Sequence, residues 1–569
     1  MTPLLQVDNL SIDFIAEHAA VNAVKNISFT VNRGEVLAIA GESGSGKTVT
    51  SLSILQLLPL SARYGSGKIL FSEDGNHAED LLKKNVKELR KIRGHKIAMI
   101  FQEPMSCLNP VFNCGDQVME ALLTHQRLPL RRAKQQVIEW FSKVQLPDPE
   151  KIFYRYPHQL SGGQKQRVMI AMAMCCHPSL LICDEPTTAL DVTVQKTILQ
   201  LIRDLQKEEN MGVILITHDL GVVAEISDKV EMMFKGEIVE QNSVKEIFTQ
   251  PHHAYTKALL ACRPVYHQRG ERLPVVSDKM NEPELKTESF RLKKKVVDFG
   301  GHRMGVTAKD VLLKVESLSV SFPSKKNFWR NPRELIKAVD DVSFEIFQGE
   351  TLGLVGESGC GKTTLARALL RLIEPSAGKI IYKGTDLTAK KRDDLKSFRK
   401  DLQIVFQDPY SSLNPRITAG SAIEEPMHVH HNVPGDQKRD KVFELLEKVN
   451  LKSEHFYRYP HEFSGGQRQR IVIARALALN PSFLVCDESV SSLDVSVQAQ
   501  VLNLLNDLKK EFGFTIIFIS HDLSVVRYMS DRIMVMNKGR IVESGTADDI
   551  YLRPRADYTK KLIASIPKN

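Results

Sequence analysis

Two segments of this chain carry almost the same glycine-rich octapeptide. The first is Gly-Glu-Ser-Gly-Ser-Gly-Lys-Thr at residues 41–48, and the second is Gly-Glu-Ser-Gly-Cys-Gly-Lys-Thr at residues 356–363. Both match the pattern G-x-x-x-x-G-K-[ST], in which a glycine-rich backbone surrounds phosphate oxygens at the start of a helix. The folded chain is therefore expected to contain two phosphate-binding loops, each at the start of a helix.

Landmarks after each loop recur at a constant spacing. Three pairs of residues are each separated by 303 positions: Gln164 and Gln467, Glu185 and Glu488, and His218 and His521. The loop lysines, Lys47 and Lys362, are 315 positions apart, so the first copy has the longer stretch after its loop. We interpret the charged segment 61–93 in that stretch as a surface hairpin. A repeat of this length predicts two similar domains, because solenoid repeats are far shorter.

The two copies imply two domains and a connection. We expect a first domain at residues 4–263, including a C-terminal tail, and a second at residues 311–569. Residues 264–310 alternate charge, proline and glycine with little hydrophobic periodicity, which indicates a linker. About 40 flexible residues span about 35 Å, enough to let the two domains pair. The basic run at residues 291–295 is interpreted as solvated linker rather than as a nucleic-acid contact.

The composition is that of a soluble globular protein. Of the 569 residues, 42% are hydrophobic and 25% charged, and the net charge is +9. No apolar run approaches the roughly 18 residues that span a bilayer, and the start has no signal-peptide pattern. The eight cysteines form no C-x-x-C pair, so neither a zinc site nor a redox motif is indicated. We expect a reduced, cytosolic location, with any membrane role peripheral.

Short apolar runs precede each landmark. Before the glycine loops stand residues 36–40 and 351–355, before the acidic pairs residues 180–183 and 483–486, and before the histidines residues 213–216 and 515–519. Continuous apolar strands separated by helical segments predict a parallel sheet covered on both faces. The predicted fold class is α/β, with two tandem phosphate-loop domains.

The residue types near each loop suit nucleotide chemistry. Lys47 would reach the β- and γ-phosphates, and the hydroxyl of Thr48 would bind Mg²⁺. Asp184 ends an apolar strand, where it matches a second carboxylate on the metal side. Glu185 follows directly and would polarise water as a general base. The equivalent residues of the second copy are Lys362, Thr363, Asp487 and Glu488.

Further motifs resemble those of the ABC ATPases over nearly the whole chain outside the linker. Leu-Ser-Gly-Gly-Gln at residues 160–164 and Phe-Ser-Gly-Gly-Gln at residues 463–467 resemble the family signature, and residues 189–191 and 492–494 resemble its D-loop. The resemblance implies domains with a mainly parallel sheet core, an antiparallel β subdomain and a helical subdomain. Phe463 departs from the family pattern, and Ser489 differs from the residue at this position in the first copy. Because neither difference affects a catalytic role, we expect two competent sites.

The resemblance assigns roles to individual residues. The catalytic residues would be Glu185, His218 and Gln102 in the first copy and Glu488, His521 and Gln407 in the second. Mg²⁺ would be bound by Thr48, Gln102 and Asp184, and by Thr363, Gln407 and Asp487. ATP would be bound in the first copy by Phe14, which stacks on adenine, and by Gly41, Ser43, Gly44, Ser45, Gly46, Lys47, Thr48, Ser161, Gly162, Gly163 and Gln164. The corresponding residues of the second copy are Phe322, Gly356, Ser358, Gly359, Cys360, Gly361, Lys362, Thr363, Ser464, Gly465, Gly466 and Gln467.

In this family the signature of one domain closes over the ATP held by the other. The resemblance therefore implies an internal head-to-tail pair within this one polypeptide. One site would combine Lys47 with residues 464–466, and the other Lys362 with residues 161–163.

The extended Q-loops and the tails point to one branch of the family. Residues 101–110 and 406–415, the Arg-Tyr-Pro-His stretches at 155–158 and 458–461, and the tails at 251–260 and 557–562 look like those of bacterial oligopeptide, dipeptide, glutathione and nickel importer ATPases. The resemblance implies two membrane permease subunits and an extracytoplasmic substrate-binding protein as partners. It places the chain at the cytoplasmic face of the inner membrane, with no nucleic acid as partner.

Peptides are the expected cargo, with nickel or glutathione import as alternatives. A twin ATPase that acts on ribosomes or DNA is a further alternative, but the linker has no sustained heptad repeat and no zinc pattern occurs. Export instead of import is a third possibility, but the details of the tails and Q-loops favour import.

Cys360 lies inside the second phosphate loop, at a predicted helix N-terminus, which lowers the pKa of a thiol. We therefore expect alkylation of Cys360 to inhibit ATP hydrolysis and ATP to protect against it, as measured by activity after timed labelling. The Cys360→Ser variant should resist the reagent. Inhibition of that variant to the same extent would contradict the prediction.

Overall fold

The computed structural model describes residues 2–15, 20–102, 107–187, 190–276, 310–323, 335–431, 433–491 and 493–566. The chain divides into two compact units. One unit extends to Leu260, and the other contains Ala261–Val275 together with residues 310–566.

The first unit contains a six-stranded and a four-stranded sheet. Its strands are β1 (Leu5–Ile15), β2 (Ala20–Val31), β3 (Val36–Ala40), β4 (Ala62–Phe71), β5 (Glu79–Asp80), β6 (Ile97–Ile100), β7 (Leu180–Asp184), β8 (Gly212–Thr217), β9 (Lys229–Phe234) and β10 (Glu237–Ser243). The helices that follow in this part of the chain are α1 (Lys47–Ile54), α2 (Val86–Ile92), α3 (Cys114–His125), α4 (Leu130–Lys143), α5 (Pro149–Phe153), α6 (Gly162–Met174), α7 (Val192–Glu209), α8 (Leu220–Ile226), α9 (Val244–Thr249) and α10 (Ala254–Ala261).

The second unit repeats this order of elements. Its strands are β11 (Val311–Pro323), β12 (Leu335–Phe347), β13 (Thr351–Val355), β14 (Ala377–Tyr382), β15 (Thr385–Asp386), β16 (Leu402–Val405), β17 (Phe483–Asp487), β18 (Thr515–Ile519), β19 (Arg532–Asn537) and β20 (Arg540–Thr546). Its helices are α11 (Lys362–Leu369), α12 (Lys396–Arg399), α13 (Pro409–Ser412), α14 (Ala419–His430), α15 (Lys438–Lys448), α16 (Gly465–Leu477), α17 (Val495–Phe512), α18 (Leu523–Met529), α19 (Ala547–Leu552) and α20 (Asp557–Ala564).

The predicted parallel sheet is confirmed in both copies. Its order is β10-β9-β3-β8-β7-β6 in the first unit and β16-β17-β18-β13-β19-β20 in the second. All neighbours in it pair in parallel except β9 with β10 and β19 with β20. Strands β3, β7 and β8 are buried along their whole length, which is why they read as continuous apolar runs.

The two faces of the first large sheet support different subdomains. Leu37 and Ile39 of β3 belong to the core shared with β1, β2 and β4 of the antiparallel sheet, whereas Val36 belongs to the core shared with helices α3 to α6. Trp140 and Phe141 of α4 and Phe153 of α5 fill this second core. The antiparallel and helical subdomains expected from the resemblance are therefore both present.

Residues 61–93 contain an antiparallel hairpin, β4 with β5, but the segment is more than the surface hairpin that the sequence predicted. This segment contains β4, which pairs with β1 at the centre of the antiparallel sheet, and α2, which begins with a capping box at Asn85. Ile69 and Phe71 of β4 and Leu89 of α2 are buried. The charges that suggested a surface loop occupy the exposed face of elements whose other face is apolar.

The first part of the predicted linker is packed rather than extended. Leu273 is buried, and its backbone N–H and C=O bond to the side-chain amide of Asn503 on α17 at 2.9 and 2.8 Å. The hydroxyl of Tyr528 on α18 donates to the carbonyl of Glu271 at 2.6 Å. Residues 277–309 of the same segment lie outside the described residues.

Glu231 on β9 is a buried carboxyl in the first unit, where the second unit has the core residue Met534. Its side chain is 1% exposed, and Gln241 of β10 lies opposite it in the sheet. Burial raises the pKa of Glu231 from 4.5 to about 8, and nearby Gln241 and Lys229 oppose this rise without cancelling it.

Because the folded pKa exceeds the unfolded one, the stability linked to Glu231 is present below pH 4.5 and is lost as the pH rises towards 8. Glu231→Met should remove this loss and stabilise the first unit by on the order of 2 to 4 kcal/mol at pH 8, and far less at pH 5. Calorimetric unfolding at the two pH values measures the effect. Glu237→Met, at a side chain 57% exposed, is the control. An equal gain at both pH values would contradict the prediction.

Candidate functional site

The first glycine loop connects β3 to α1 through close backbone contacts. A Cβ atom on Gly41 would lie 2.1 Å from the carbonyl oxygen of Met233, and one on Gly46 would lie 2.6 Å from that of Ala23. Both glycines have positive φ, at 154° and 103°. A side chain would therefore displace the loop, and only glycine fits at both positions.

The loop lysine is folded back onto its own loop. The Lys47 side chain is 5% exposed, and its Nζ donates to the carbonyls of Gly41 and Glu42 at 2.8 and 2.7 Å. Ser43 and Gly44 are exposed at the open side of the loop, while Ser45 is buried. A cation and the N-terminus of α1 are thus held at one concave backbone segment, which is suited to bind an anion.

The second loop has the same geometry. Lys362 Nζ donates to the carbonyls of Gly356 and Glu357 at 2.7 and 2.9 Å. A Cβ atom on Gly361 would lie 2.2 Å from the carbonyl oxygen of Ala338. Ser358 and Gly359 are exposed, and Cys360 is 7% exposed.

A threonine and an aspartate meet beside each loop. Thr48 Oγ1 donates to Asp184 Oδ1 at 3.3 Å, and Thr363 Oγ1 donates to Asp487 Oδ1 at 3.1 Å. Burial, followed by the charge of Glu185, raises the pKa of Asp184 to about 6, and burial likewise raises the pKa of Asp487.

These groups fit the cation expected there. Hydroxyl and carboxylate oxygens are the ligands that Mg²⁺ prefers, and a nearby cation offsets the cost of a buried carboxylate. In the described parts of the chain, no group of three His, Cys, Asp or Glu side chains could hold a metal ion alone.

The predicted catalytic glutamates are held by two neighbours each. In the first unit, Glu185 Oε2 accepts a hydrogen bond from Gln102 Nε2 at 2.9 Å, and Glu185 Oε1 lies 2.9 Å from His218 Nδ1. In the second, Glu488 Oε2 accepts from Gln407 Nε2 at 2.8 Å and lies 3.7 Å from His521 Nδ1. The structure thus brings together the three residues predicted for each copy.

Both glutamates adopt a left-handed backbone conformation, with φ of 47° at Glu185 and 48° at Glu488. This conformation is costly for a residue with a side chain and is often retained at functional sites. The N–H groups of the two glutamates donate to Ile216 and Ile519 at 2.9 Å, which holds the turn out of β7 and β17. No sequence pattern indicated this strain.

Glu488 remains acidic although it is largely buried. Burial on its own would raise the pKa of Glu488, but the hydrogen bond from His521 and the charges of His521 and Lys362 outweigh it and lower the pKa. Glu488 is therefore ionised at neutral pH, as a proton acceptor must be.

The signature segments form capping boxes at the N-termini of α6 and α16. Ser161 accepts a hydrogen bond from the N–H of Gln164 at 3.3 Å, and Gln164 accepts one from the N–H of Ser161 at 3.0 Å. Ser464 and Gln467 repeat these bonds at 3.4 and 3.1 Å. Both serines are exposed, so each segment presents a hydroxyl and helix N–H groups to solvent.

The two glycines of each signature differ in how closely other residues pack against them. A Cβ atom on Gly163 would lie 2.7 Å from Val194 of α7, and one on Gly466 would lie 2.3 Å from Val497 of α17. A Cβ atom on Gly162 would have its nearest neighbour at 3.5 Å, and a Cβ atom on Gly465 would have its nearest neighbour at 4.0 Å. The second glycine thus packs against the helix after the D-loop, while the first leaves the surface open.

The remaining predicted residues lie on the first strand of each unit, before helices α7 and α17, or outside the described residues. Phe14 is partly buried near the end of β1, and Phe322 on β11 is 40% exposed. Asp191 and Asp494 are the residues before α7 and α17. Q-loop residues 103–106 and the D-loop residues at 189 and 492 lie outside the described residues.

The duplicated phosphate loop, acidic strand end and signature helix define an ATP-binding cassette. The sequence pattern of the family "ABC transporter" matches residues 24–188 and 339–491, and that of "Oligopeptide/dipeptide transporter, C-terminal region" matches residues 239–288 and 542–569. The chain belongs to the ABC transporter family and is an ABC-type ATPase, which binds and hydrolyses ATP.

The chain is similar over its whole length to glutathione import ATP-binding proteins named GsiA. It is 47% identical over 570 residues to that of Escherichia coli strain K12, covering 99% of this chain and 89% of the relative. It is 47% identical over 566 residues, with the same coverage, to that of Pectobacterium atrosepticum.

Two solved structures are similar in sequence to part of the chain. The dimeric cassette MJ0796 bound to ADP and Pi is 27% identical, covering 41% of this chain and 98% of that one with a TM-score of 0.37. CbiO1 from Clostridium perfringens is 28% identical, covering 43% and 92% with a TM-score of 0.37.

The placement of Glu185 and Glu488 yields a direct test. The Glu185→Gln, Glu488→Gln double variant should bind ATP but lose at least about 100-fold in steady-state hydrolysis, because an amide cannot accept the proton of the attacking water. Phosphate release and ATP-analogue binding measure the two effects. Glu73→Gln, at a surface ion pair with Lys96, is the control and should keep its activity. Unchanged hydrolysis in the double variant would contradict the assignment.

Proposed function

We propose that this chain is the ATP-hydrolysing subunit of a bacterial ABC importer for short peptides. The observation that carries the proposal is that the family pattern of the ABC transporter matches the chain twice and that each match is followed by a tail of the oligopeptide/dipeptide transporter type. The similarity to glutathione import proteins supports the same class of cargo, because glutathione is itself a short peptide. Glutathione is therefore the first cargo to test, and nickel is the alternative.

Hydrolysis in each domain rests on the glutamate cluster. Glu185 accepts the proton of a water molecule as its oxygen attacks the γ-phosphorus and the bond to the β,γ-bridging oxygen breaks. Gln102 and His218 contact the two carboxylate oxygens of Glu185, so they orient the base before the reaction. Lys47 exchanges its contacts with loop carbonyls for contacts with phosphate oxygens. Glu488, Gln407, His521 and Lys362 act in the same way in the second domain.

Mg²⁺ would be held by Thr48 and Asp184 with Gln102, and by Thr363 and Asp487 with Gln407. When bound, it would neutralise charge on the phosphate oxygens. The buried aspartates with raised pKa support this assignment, because a cation would allow them to ionise.

The two domains would act as a pair within one polypeptide. The exposed signature of each, at Ser161 and Ser464, would close over the ATP bound at the opposite loop lysine, Lys362 and Lys47 respectively. Exposed serines at the N-termini of α6 and α16 suit contact with a γ-phosphate. ATP binding would draw the domains together, and hydrolysis would part them.

The closure would be passed to permease subunits through an apolar surface on each helical subdomain. Val111, Phe112 and Tyr154 of the first unit are 70%, 56% and 57% exposed. The loop before α3 is joined to the loop after α5 by a 2.9 Å bond from the N–H of Cys114 to Arg155. In the second unit Tyr410 and Tyr457 are 65% and 57% exposed. Such exposed aromatic groups are typical of protein contact surfaces.

The permeases would be separate chains that hold this ATPase at the cytoplasmic face of the inner membrane, together with an extracytoplasmic binding protein. In the part of the chain that the structure describes, no helix is long and apolar enough to cross a membrane.

Uptake in a strain that lacks this gene tests the proposed cargo. Labelled glutathione, a dipeptide and Ni²⁺ are each supplied to the deletion strain carrying the wild-type gene or the Glu185→Gln, Glu488→Gln variant. We expect wild type, but not the variant, to restore uptake of glutathione or of the dipeptide. The tagged wild-type protein should also sediment with membranes and permeases.

Two outcomes would contradict the proposal. Restoration of Ni²⁺ uptake alone would select the nickel alternative. Unchanged uptake of all three compounds in the deletion strain, with the protein recovered on ribosomes or DNA, would favour the alternative outside transport.

A further inference from the structure

The tail of the first domain reaches its phosphate loop through one tyrosine. Tyr255 lies near the start of α10, is fully buried, and packs against Phe234 of β9 with ring centroids 4.3 Å apart. Its hydroxyl accepts a hydrogen bond from the backbone N–H of Glu42 at 3.0 Å. Glu42 is the second residue of the loop, 213 positions away in the sequence.

The second domain makes the same contact. The hydroxyl of Tyr558 on α20 accepts from the N–H of Glu357 at 3.1 Å. The residues before the tyrosine differ between the copies: they are His-His-Ala at 252–254 and Arg-Ala-Asp at 555–557. The position of Phe234 is occupied by Asn537, and Tyr558 is only partly buried. What the copies share is therefore the bond from the hydroxyl to the loop, and not the packing of the ring.

A glutamate holds the start of each tail helix. The two carboxylate oxygens of Glu240 accept from the N–H groups of His252 and His253 at 2.7 and 3.1 Å. Those of Glu543 accept from residues 555 and 556 at 2.8 and 3.0 Å. Carboxylates at this end of a helix are favoured by its dipole. The tyrosines are thus attached to strands β10 and β20 at a defined position.

The residue that the tyrosine holds is also the one that the loop lysine contacts. In the first loop the carbonyl of Glu42 accepts from Lys47 Nζ at 2.7 Å, and in the second the carbonyl of Glu357 accepts from Lys362 Nζ at 2.9 Å. The same carbonyls accept the N–H of Ser45 and of Cys360, both at 3.2 Å. A tail tyrosine therefore fixes a residue on which the lysine and the middle of the loop both depend.

We propose that Tyr255 and Tyr558 are positioning residues that hold the two phosphate loops in the conformation that receives ATP. The tail of each domain thereby becomes part of its nucleotide site, although it lies at the far end of the domain sequence. This inference rests on the proposed assignment of residues 41–48 and 356–363 as the phosphate loops. It does not depend on the cargo.

Phenylalanine variants remove the hydroxyl and retain the ring. A hydrogen bond of this kind contributes about 0.5–1.5 kcal/mol. In the Tyr255→Phe, Tyr558→Phe double variant we expect the KM for MgATP to rise about three- to tenfold, while kcat stays within about twofold. Tyr266→Phe, at an exposed tyrosine outside α10, is the matched control and should change neither constant.

A second readout separates loop positioning from a merely structural role. Only the second loop contains a cysteine, so mass spectrometry can follow alkylation of Cys360 without nucleotide. Tyr558→Phe should accelerate this labelling about threefold or more, because Glu357 then no longer holds the N–H of Cys360 in place. Tyr255→Phe changes only the first loop and should leave the rate at Cys360 unchanged.

Wild-type KM values in the double variant, or equal labelling of Cys360 in wild type and Tyr558→Phe, would overturn the proposal. A general increase of labelling at all cysteines would do so too, since it would indicate loss of folding. Failure of the unmodified protein to bind an ATP analogue would instead contradict the phosphate-loop assignment. The two failures are therefore distinguishable.

Discussion

Each nucleotide site depends on a backbone turn that has no room for side chains. In the first loop the space beside Gly41 and Gly46 is occupied by carbonyl oxygens of Met233 and Ala23, which come from the two different sheets of the domain. The loop can therefore lie against both sheets and still expose its N–H groups at the start of α1. An alanine at either glycine would lose the positive φ as well as the close contact, so the anion-binding geometry cannot be separated from the packing of the domain.

The order of the parallel strands brings the other groups to this loop. Strand β8 lies between β3 and β7, so the ends of three strands distant in sequence meet at one edge. Asp184 is the last residue of β7, Glu185 follows it, and His218 follows β8. The left-handed turn at Glu185 then directs the carboxylate away from the strand and towards Gln102 and His218. The strain is sustained because the strand end is fixed by its neighbours.

The two domains share this architecture but differ in detail. The distance from glutamate to histidine is 2.9 Å in the first and 3.7 Å in the second. The buried Glu231 of the first domain is a methionine in the second, and burial raises the pKa of the Glu231 carboxyl. Such differences leave the same residue types around the glutamate in both copies.

Much of the site could be predicted from the sequence, because its parts are short motifs whose spacing determines local structure. The α/β class and the buried strands before each motif followed from local patterns, whereas Gln102 and His218, which contact Glu185, were expected from the resemblance to the ABC ATPases. The tertiary structure alone decided the contacts between distant segments. These include the bond from Tyr255 to the loop, the packing of Gly163 against α7, the burial of Leu273 with its bonds to Asn503, and the pairing of β4 with β1. Such contacts depend on which surfaces meet after folding, and no local pattern of residues records that choice.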